Sequence, residues 1–174
     1  MTTTIALFRG INVGGKHILP MQDLKRILEE LGCQDVQTYI QSGNVVLRSA
    51  RPAGELAAAM GAAIEREHGF APRVWLLSED EFRTAAANNP YPTEVGKALH
   101  LCFLDAAPAA VDWRRIEALR AASESCELIE KVFYLHAPEG IGRSKLAAKL
   151  DQCLGTPLTG RNWNTVSKLL AMLD

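Results

Sequence analysis

The first half of the chain alternates between short apolar runs and longer stretches whose apolar residues recur every three or four positions. Short runs of this kind predict buried strands, and the recurring stripes predict amphipathic helices. One stripe, Met21, Leu24, Leu28 and Leu31, follows Pro20, a residue suited to the first turn of a helix. The predicted elements are, in chain order, residues 4–8, 20–31, 36–41, 44–49, 52–68 and 73–77. Their strand–helix–strand–strand–helix–strand order is that of the ferredoxin-like, or split βαβ, motif.

The second half of the chain repeats this order less completely. Its predicted elements are strands over residues 98–104, 126–129 and 132–136 and helices over residues 111–122 and 144–154. The first of these helices is expected to bury Trp113, Ile116 and Leu119. Residues 156–160 are rich in turn formers and predict a loop where a fourth strand would complete the motif. A final amphipathic helix carries Val166, Leu169, Leu170 and Leu173.

These elements predict an α/β fold of the α+β type. It consists of two ferredoxin-like halves with mainly antiparallel sheets and a C-terminal amphipathic helix. The 174 residues are 48% hydrophobic, which suits one domain over residues 1–174 made of two small halves. The halves are residues 1–78 and 98–174, the second a βαββα unit with the C-terminal helix, and residues 79–97 form a helix and linker.

Charge and cysteine usage narrow the function classes. The net charge of −1 gives no reason to expect general coating of nucleic acid. No apolar run approaches the roughly 20 residues of a membrane helix, and the N-terminus lacks the features of a secretion signal. We therefore expect a cytoplasmic protein without a membrane partner. The four cysteines form no CxxC pair, which favours free, mostly buried thiols over a structural zinc site.

The glycine-rich segment RGINVGGK, residues 9–16, follows the first predicted strand. Glycines let a loop turn sharply and present backbone N–H groups to an anion, and the segment ends in a cation on each side. Its candidate ligand-binding residues are Arg9, Gly10, Asn12, Gly14, Gly15 and Lys16. The spacing of Gly10, Gly15 and Lys16 matches the start of a P-loop, but His17 replaces the Ser or Thr that would bind magnesium. A nucleotide-hydrolysing P-loop is therefore disfavoured.

The predicted topology brings a second loop to the same place. The first two strands are parallel and the third runs back between them, so residues 9–16 and the turn at residues 41–44 share one edge of the sheet. Ser42, Gly43 and Asn44 in this turn join the candidate ligand-binding residues. Ordinary turn chemistry is the alternative, because tight turns also favour Gly and Asn.

Two further clusters begin the last two helices. In residues 138–145, Ser144 is a predicted N-cap, and basic residues beside a helix N-terminus can hold an anion. In residues 159–168, an arginine and two asparagines flank Trp163, which is itself more typical of a core residue. The candidate ligand-binding residues of these clusters are Lys145, Arg161, Asn162 and Asn164. The alternatives are a capped helix with a solvated basic end and an ordinary structural helix start.

The four histidines show no metal-ligand spacing, so no metal site is predicted. His100 lies in an apolar strand and is expected to be a hydrogen-bonded core residue.

The motifs ALFRGINVGGK, TYIQSGNVVL, SKL and TGRNWNTVSKLL together resemble the bacterial domain-of-unknown-function 1697 family. The resemblance covers nearly the whole chain and keeps the order of the motifs. It implies a small, single-domain, cytoplasmic α/β protein. The family has no agreed catalytic residues, so the resemblance leaves cofactors and catalysis open.

Three hypotheses follow. In the first, the protein binds an anionic ligand such as a nucleotide, a phosphometabolite or an RNA end through Arg9, Lys16 and Arg161. Lys145 contributes if the second half folds over the same edge. In the second, the same pocket performs phosphoryl or acyl transfer with His17 as the base. In the third, the chain is a protein-interaction module whose motif residues are structural. Its third strand lacks the aromatic residues of RNA-recognition domains, which disfavours RNA binding on the sheet.

Overall fold

The structure, a computed structural model, describes residues Met1–Asp174, and its chain divides into two compact units. Unit 1 comprises Met1–Thr84 and Leu169–Asp174, and unit 2 comprises Ala85–Lys168. The chain forms two four-stranded antiparallel sheets and six α-helices, which confirms the predicted fold class.

Unit 1 contains the first complete ferredoxin-like motif. Its elements are β1 (Thr2–Arg9), α1 (Met21–Glu30), β2 (Gln34–Tyr39), β3 (Asn44–Ser49), α2 (Ala53–His68) and β4 (Arg73–Ser78), followed by α3 (Glu79–Ala87). The strand order is β2-β3-β1-β4 with antiparallel neighbours, as the split βαβ motif requires. The ends of β1 and β2 and the starts of β3 and β4 therefore meet at one edge of this sheet.

The core of unit 1 follows from the periodicity of its helices. The residues of α2 that are buried, Leu56, Met60, Ala63 and Ile64, are those that helical spacing predicts. They belong to one cluster with Ala6, Phe8, Val45 and Leu47 from the central strands. The helix ends at Gly69, whose φ of 80° is the left-handed conformation that glycine adopts most easily.

Unit 2 repeats the topology of unit 1. Its elements are β5 (Leu99–Leu104), α4 (Trp113–Leu119), β6 (Ser125–Ile129), β7 (Val132–His136), α5 (Lys145–Leu154) and β8 (Leu158–Asn162), and α6 (Trp163–Leu173) starts within it. Short 3₁₀ turns at Gly96–Ala98 and Ile141–Arg143 precede β5 and α5. The strand order is β6-β7-β5-β8, and the helices cover a core that includes Cys102, Phe133, Leu135, Leu146 and Leu150.

The prediction that residues 156–160 form a loop in place of a fourth strand is wrong. β8 pairs antiparallel with β5 and completes the second motif. Thr159 and Arg161 are the buried side chains of β8, so its inward face is polar and the sequence shows no apolar alternation there.

The predicted inner face of the helix over 111–122 is also partly wrong. α4 is shorter than predicted, and Trp113 at its first position is 50% exposed while Ile116 is buried. The helix starts there because the Asp112 side chain accepts a hydrogen bond from the Arg115 N–H.

The cysteines are free, and all but the half-buried Cys126 are buried, as predicted. The structure contains no helix with both the length and the apolar content to cross a membrane.

Candidate functional site

The glycine-rich loop after β1 and the β2–β3 turn lie side by side, as the topology predicts, and Asn12 ties them together. The Asn12 Nδ2 group donates to the carbonyl of Gln41 at 2.8 Å and to that of Leu19 at 2.9 Å. The Leu19 N–H in turn donates to Asn12 Oδ1 at 2.8 Å. Asn12, a candidate ligand-binding residue, thus uses its amide to close the loop on itself and to hold it against the neighbouring turn.

The tip of the loop is a tight turn. Gly14 and Gly15 have φ values of 59° and 71°, and the Lys16 N–H donates to the carbonyl of Val13 at 3.0 Å. Two central residues with positive φ are typical of a type I′ turn, which explains the paired glycines. Gly14, Gly15 and Lys16 are all exposed, so this tip is accessible to a ligand.

Gly43 allows the β2–β3 turn to approach the end of β1. Its φ is 88°, and a Cβ atom there would lie 2.8 Å from Phe8 Cβ and 2.7 Å from Ile11 Cδ1. The Phe8 N–H donates to the Gly43 carbonyl at 2.9 Å. This glycine is therefore fixed by close packing of the two loops.

Asn44 is buried, and its side chain makes hydrogen bonds to other residues of the turn. Its Nδ2 group donates to the Tyr39 carbonyl and to Ser42 Oγ, each at 3.0 Å. Of the candidate residues in this turn, only Ser42 is exposed to solvent. The turn chemistry that was the alternative interpretation accounts for much of what Gly43 and Asn44 do.

Cations gather at the end of β1. Arg9, the last residue of β1, lies directly opposite Arg73, the first residue of β4, and both are exposed. Side chains paired in this way on antiparallel strands have Cβ atoms about 5 Å apart. The Arg73 guanidinium lies 5.7 Å from the centre of the Trp75 ring, a cation–π contact. Exposed Lys16, on the loop that follows Arg9, is a further cationic side chain of this region.

His17 has a fixed orientation at the same edge. Its ring stacks on Phe70 with centroids 4.6 Å apart, and its Nδ1 atom lies 3.1 Å from the carbonyl oxygen of Gly10. A carbonyl oxygen only accepts hydrogen bonds, so Nδ1 is the donor in this contact, and in the neutral ring Nε2 is the acceptor. His17 thus presents a potential general base beside the cations.

The remaining candidate residues lie in unit 2. Lys145 is exposed at the start of α5, where Ser144 caps the helix by accepting from the Ala147 N–H at 3.0 Å. Arg161 is only 8% exposed and donates to Thr159 Oγ1 at 2.7 Å and to the Gly160 carbonyl at 2.9 Å. Its burial lowers the pKa of the guanidinium to about 10.

Two asparagines surround the start of α6. Asn162 is the N-cap, since its Oδ1 accepts from the Thr165 N–H at 3.0 Å. Asn164 packs on Gly96, where a Cβ atom would overlap the Asn164 side chain. Arg161, Asn162 and Asn164 are therefore brought together around the junction of β8 and α6, whereas Lys145 belongs to another helix start.

Sequence reasoning missed Arg73, Phe70 and a cleft in unit 2. The signal for Arg73 was present, because the split βαβ order places the start of β4 beside the end of β1. The cleft has a volume of about 360 Å³ and includes His100 and Asn162 in its lining. His100 Nδ1 is buried without a hydrogen-bond partner, so the expectation of a hydrogen-bonded core histidine is wrong. No group of three or more potential metal ligands is present in the structure.

Comparison with known proteins finds a family model and a solved structure that are similar to this chain, and both matches include residues of the two units. Residues 1–134 match the model of a family described as protein of unknown function (DUF1697). The conserved bacterial protein SP0830 from Streptococcus pneumoniae has a similar structure, with a TM-score of 0.72 and 26% sequence identity over 99% of each chain. No curated protein matches the sequence.

Proposed function

The chain belongs to the DUF1697 family, a family of unknown function, and from the geometry of its loops we propose that it binds a phosphate-bearing small molecule at the end of β1. The ligand is a nucleotide or a phosphometabolite, and the site consists of Arg9, Arg73, Lys16 and the Gly14–Gly15 turn. Such ligands are plentiful in the cytoplasm, where we propose that the protein acts.

The direct pairing of Arg9 with Arg73 carries this proposal. The two side chains start from opposite positions on neighbouring strands, and both reach solvent. A guanidinium group matches the geometry of phosphate oxygens and binds them through two parallel hydrogen bonds. Two such groups on a rigid sheet, with a lysine on the exposed loop that follows Arg9, favour an anion with several oxygen atoms over a single carboxylate.

The stiffness of the loop supports the proposal as well. The three Asn12 hydrogen bonds join the loop to itself and to the β2–β3 turn, and Gly43 packs closely on Ile11 of the loop. A preformed loop loses little conformational entropy on binding, so more of the interaction energy appears as affinity. The exposed backbone of Gly14 and Gly15 can then approach a phosphate without a side chain in between.

The orientation of His17 favours phosphoryl transfer as a second candidate function. Its stacking on Phe70 and its contact with the Gly10 carbonyl leave Nε2 to accept a proton from an attacking water or hydroxyl. In this function the cations would stabilise the charge that develops on the transferred phosphoryl group.

Titration with pyrophosphate tests the binding proposal. We expect saturable binding, measured by calorimetry or by ³¹P NMR, with an affinity that falls as ionic strength rises. Replacing either arginine, in R9Q or R73Q, should weaken binding about tenfold or more, because each substitution removes charge-assisted hydrogen bonds. Appearance of orthophosphate in the same ³¹P spectra, and its loss in H17A, would support the second candidate.

Arg48 provides the matched control. It is an exposed arginine on β3, at the opposite end of the same sheet, and it pairs with Asp35 at 3.5 Å on the surface. The R48Q variant should bind pyrophosphate as the wild type does and should melt at nearly the same temperature, because exposed ion pairs add little stability. Equal affinities for R9Q, R73Q and R48Q, or no binding by the wild type at millimolar pyrophosphate, would contradict the proposal.

A further inference from the structure

The cleft of unit 2 lies wholly within that unit, between the start of β5, the end of β8 and the two 3₁₀ turns. Its volume of about 360 Å³ is within the range of small-molecule sites. Val95 and Ile141 contribute apolar walls, and His100, Asn162, Lys97 and Glu139 contribute the polar groups. The cleft can therefore accept a small molecule that has both an apolar part and a polar part.

His100 is poorly explained by packing alone. It faces Leu135 and Asn162 on the strands at either side, and its buried Nδ1 atom has no hydrogen-bond partner. A buried polar atom without a partner destabilises the folded state, and an apolar side chain in its place would avoid that loss. Burial also lowers the pKa of His100, so the ring is neutral at neutral pH. Nδ1 itself has no accessible surface, so a ligand in the cleft would meet His100 through the remaining atoms of the ring.

Asn162 determines which type of polar group the cleft favours. Its Oδ1 atom is occupied by the Thr165 N–H, so its remaining hydrogen-bonding group, Nδ2, can only donate. The positive end of the α6 dipole lies at the same place. Both features favour a ligand group that accepts hydrogen bonds and carries negative charge.

The charges of the cleft limit the size of that negative charge. Lys97 and Glu139 are both exposed, and the Glu139 carboxylate accepts from Ser123 Oγ at 2.7 Å. One cation, one anion and a neutral imidazole leave the lining without net charge. Such a lining suits a monoanion with an apolar body better than it suits a phosphate dianion.

We propose that the unit 2 cleft binds a small monocarboxylic acid, whose carboxylate accepts hydrogen bonds from Asn162 Nδ2 and from the His100 imidazole near Lys97, with its apolar part against Val95 and Ile141. This site is independent of the phosphate site proposed for unit 1, because its residues and its ligand class are both different. Failure of one proposal leaves the other untouched.

Titration with benzoate, followed through the imidazole ¹⁵N and ¹H signals of the full-length protein, tests this inference. We expect the His100 signals to shift and saturate, while those of His68, at the end of α2 in unit 1, stay in place. Benzamide has the same shape without the charge and should bind at least about tenfold more weakly. Isovalerate serves as a second probe with an aliphatic body.

Two variants separate binding from folding. N162D keeps an N-cap of equal quality but replaces the donor with a second carboxylate, so benzoate affinity should fall at least about tenfold with little change in melting temperature. H100L removes the buried nitrogen without a partner, so it should melt at the same or a higher temperature and lose benzoate binding. A purely structural histidine would instead make H100L less stable and leave benzoate binding of N162D unchanged.

Four results would overturn the inference. They are the absence of a His100 shift with both benzoate and isovalerate, equal binding of benzamide and benzoate, unchanged benzoate affinity in N162D, and a shift shared by His100 and His68. If H100L fails to fold, N162D still decides the outcome, because it leaves the hydrogen bond to Thr165 in place.

Discussion

The two units have the same strand order, yet their candidate sites lie at opposite ends of their sheets. In unit 1 the cations and the glycine-rich loop lie where β1 ends, and in unit 2 the cleft lies where β5, the equivalent strand, begins. The shared topology fixes which loops are neighbours but leaves open which edge is used. The residues placed in the loops decide the chemistry, so a fold repeated within one chain need not repeat its function.

The equivalent loops of the two units differ in backbone conformation and in length. Between β1 and α1 five residues have positive φ, namely Gly10, Asn12, Gly14, Gly15 and His17, whereas residues 105–112 between β5 and α4 include none. The β2–β3 turn has four residues, and the β6–β7 turn has only Glu130 and Lys131. Non-glycine residues with positive φ require support from their surroundings, and in unit 1 that support comes from Asn12 and Gly43.

The largest expected effect comes from the close packing of Gly43. We expect G43A to destabilise the protein by about 3–5 kcal/mol, because the added methyl group overlaps Phe8 and Ile11 in addition to the strain of a positive φ. Urea unfolding measures this loss. G32A is the matched control, since Gly32 has a similar φ of 91° with nothing near its Cβ position. G32A should cost only about 1–2 kcal/mol, and equal losses would show that strain alone determines the effect.

The next largest effect is the loss of stability on replacing an asparagine, which should differ between the two units because the asparagines have different structural roles. N12A removes three hydrogen bonds that link two loops of unit 1 and should cost about 2–3 kcal/mol. N162A removes one helix cap in unit 2 and should cost about 1 kcal/mol. Hydrogen exchange should also become faster at residues 13–18 in N12A alone. Similar losses for the two variants, with unchanged exchange in the loop, would mean that Asn12 does not hold the loop.

The smallest expected effect is a loss of stability at alkaline pH, caused by a buried thiol in unit 2. Burial raises the pKa of the Cys102 thiol to about 12, from 9.0. Between these pH values the unfolded chain loses the thiol proton and the folded chain keeps it, so stability falls as pH rises, by up to about 1.4 kcal/mol per pH unit. Below pH 9 both states keep the proton and this contribution is constant.

Urea unfolding at pH 8, 9 and 10 checks this dependence. C102A should be less stable at every pH because of the lost packing, but its stability should decline less steeply above pH 9 than that of the wild type. Below pH 10 the buried Tyr134, whose pKa is also raised by burial, to about 12, contributes little. Parallel pH profiles for wild type and C102A would refute the assignment.

The sequence predicted an element correctly where the periodicity of its apolar residues matches the side chains that the structure buries. The stripe of α2 and the stop at Gly69 are examples, and so is β3 over Asn44–Ser49. The prediction was less accurate where an apolar residue lies in a turn and not in a strand or helix. β2 was predicted over 36–41 but spans Gln34–Tyr39, because Ile40 takes a φ of 49° in the turn and is 50% exposed. β8 was missed because its polar residues and glycine are typical of loops.

The sequence predicted where the candidate site lies more accurately than it predicted what each side chain does there. Topology alone predicted that the loops after β1 and β2 would meet, and the hydrogen bond from Asn12 to Gln41 confirms this. The direction in which a side-chain amide points is not encoded in spacing, so the hydrogen bonds of Asn12 were not predicted, and for Asn44 a structural role was only the alternative interpretation. His100 was misread for a similar reason, because the lack of a hydrogen-bond partner depends on atoms from several strands.

The link that Asn12 makes has a consequence for redesign of the protein. It contacts backbone atoms of Leu19 and Gln41, and the side chain of Gln41 is exposed. The geometry of the loop is therefore uncoupled from the identity of residue 41, as it is from that of exposed Lys16 at the tip. A library randomised at these two positions would vary the side chains around the loop on a constant backbone, so a new binding preference could be selected there without first repairing the fold.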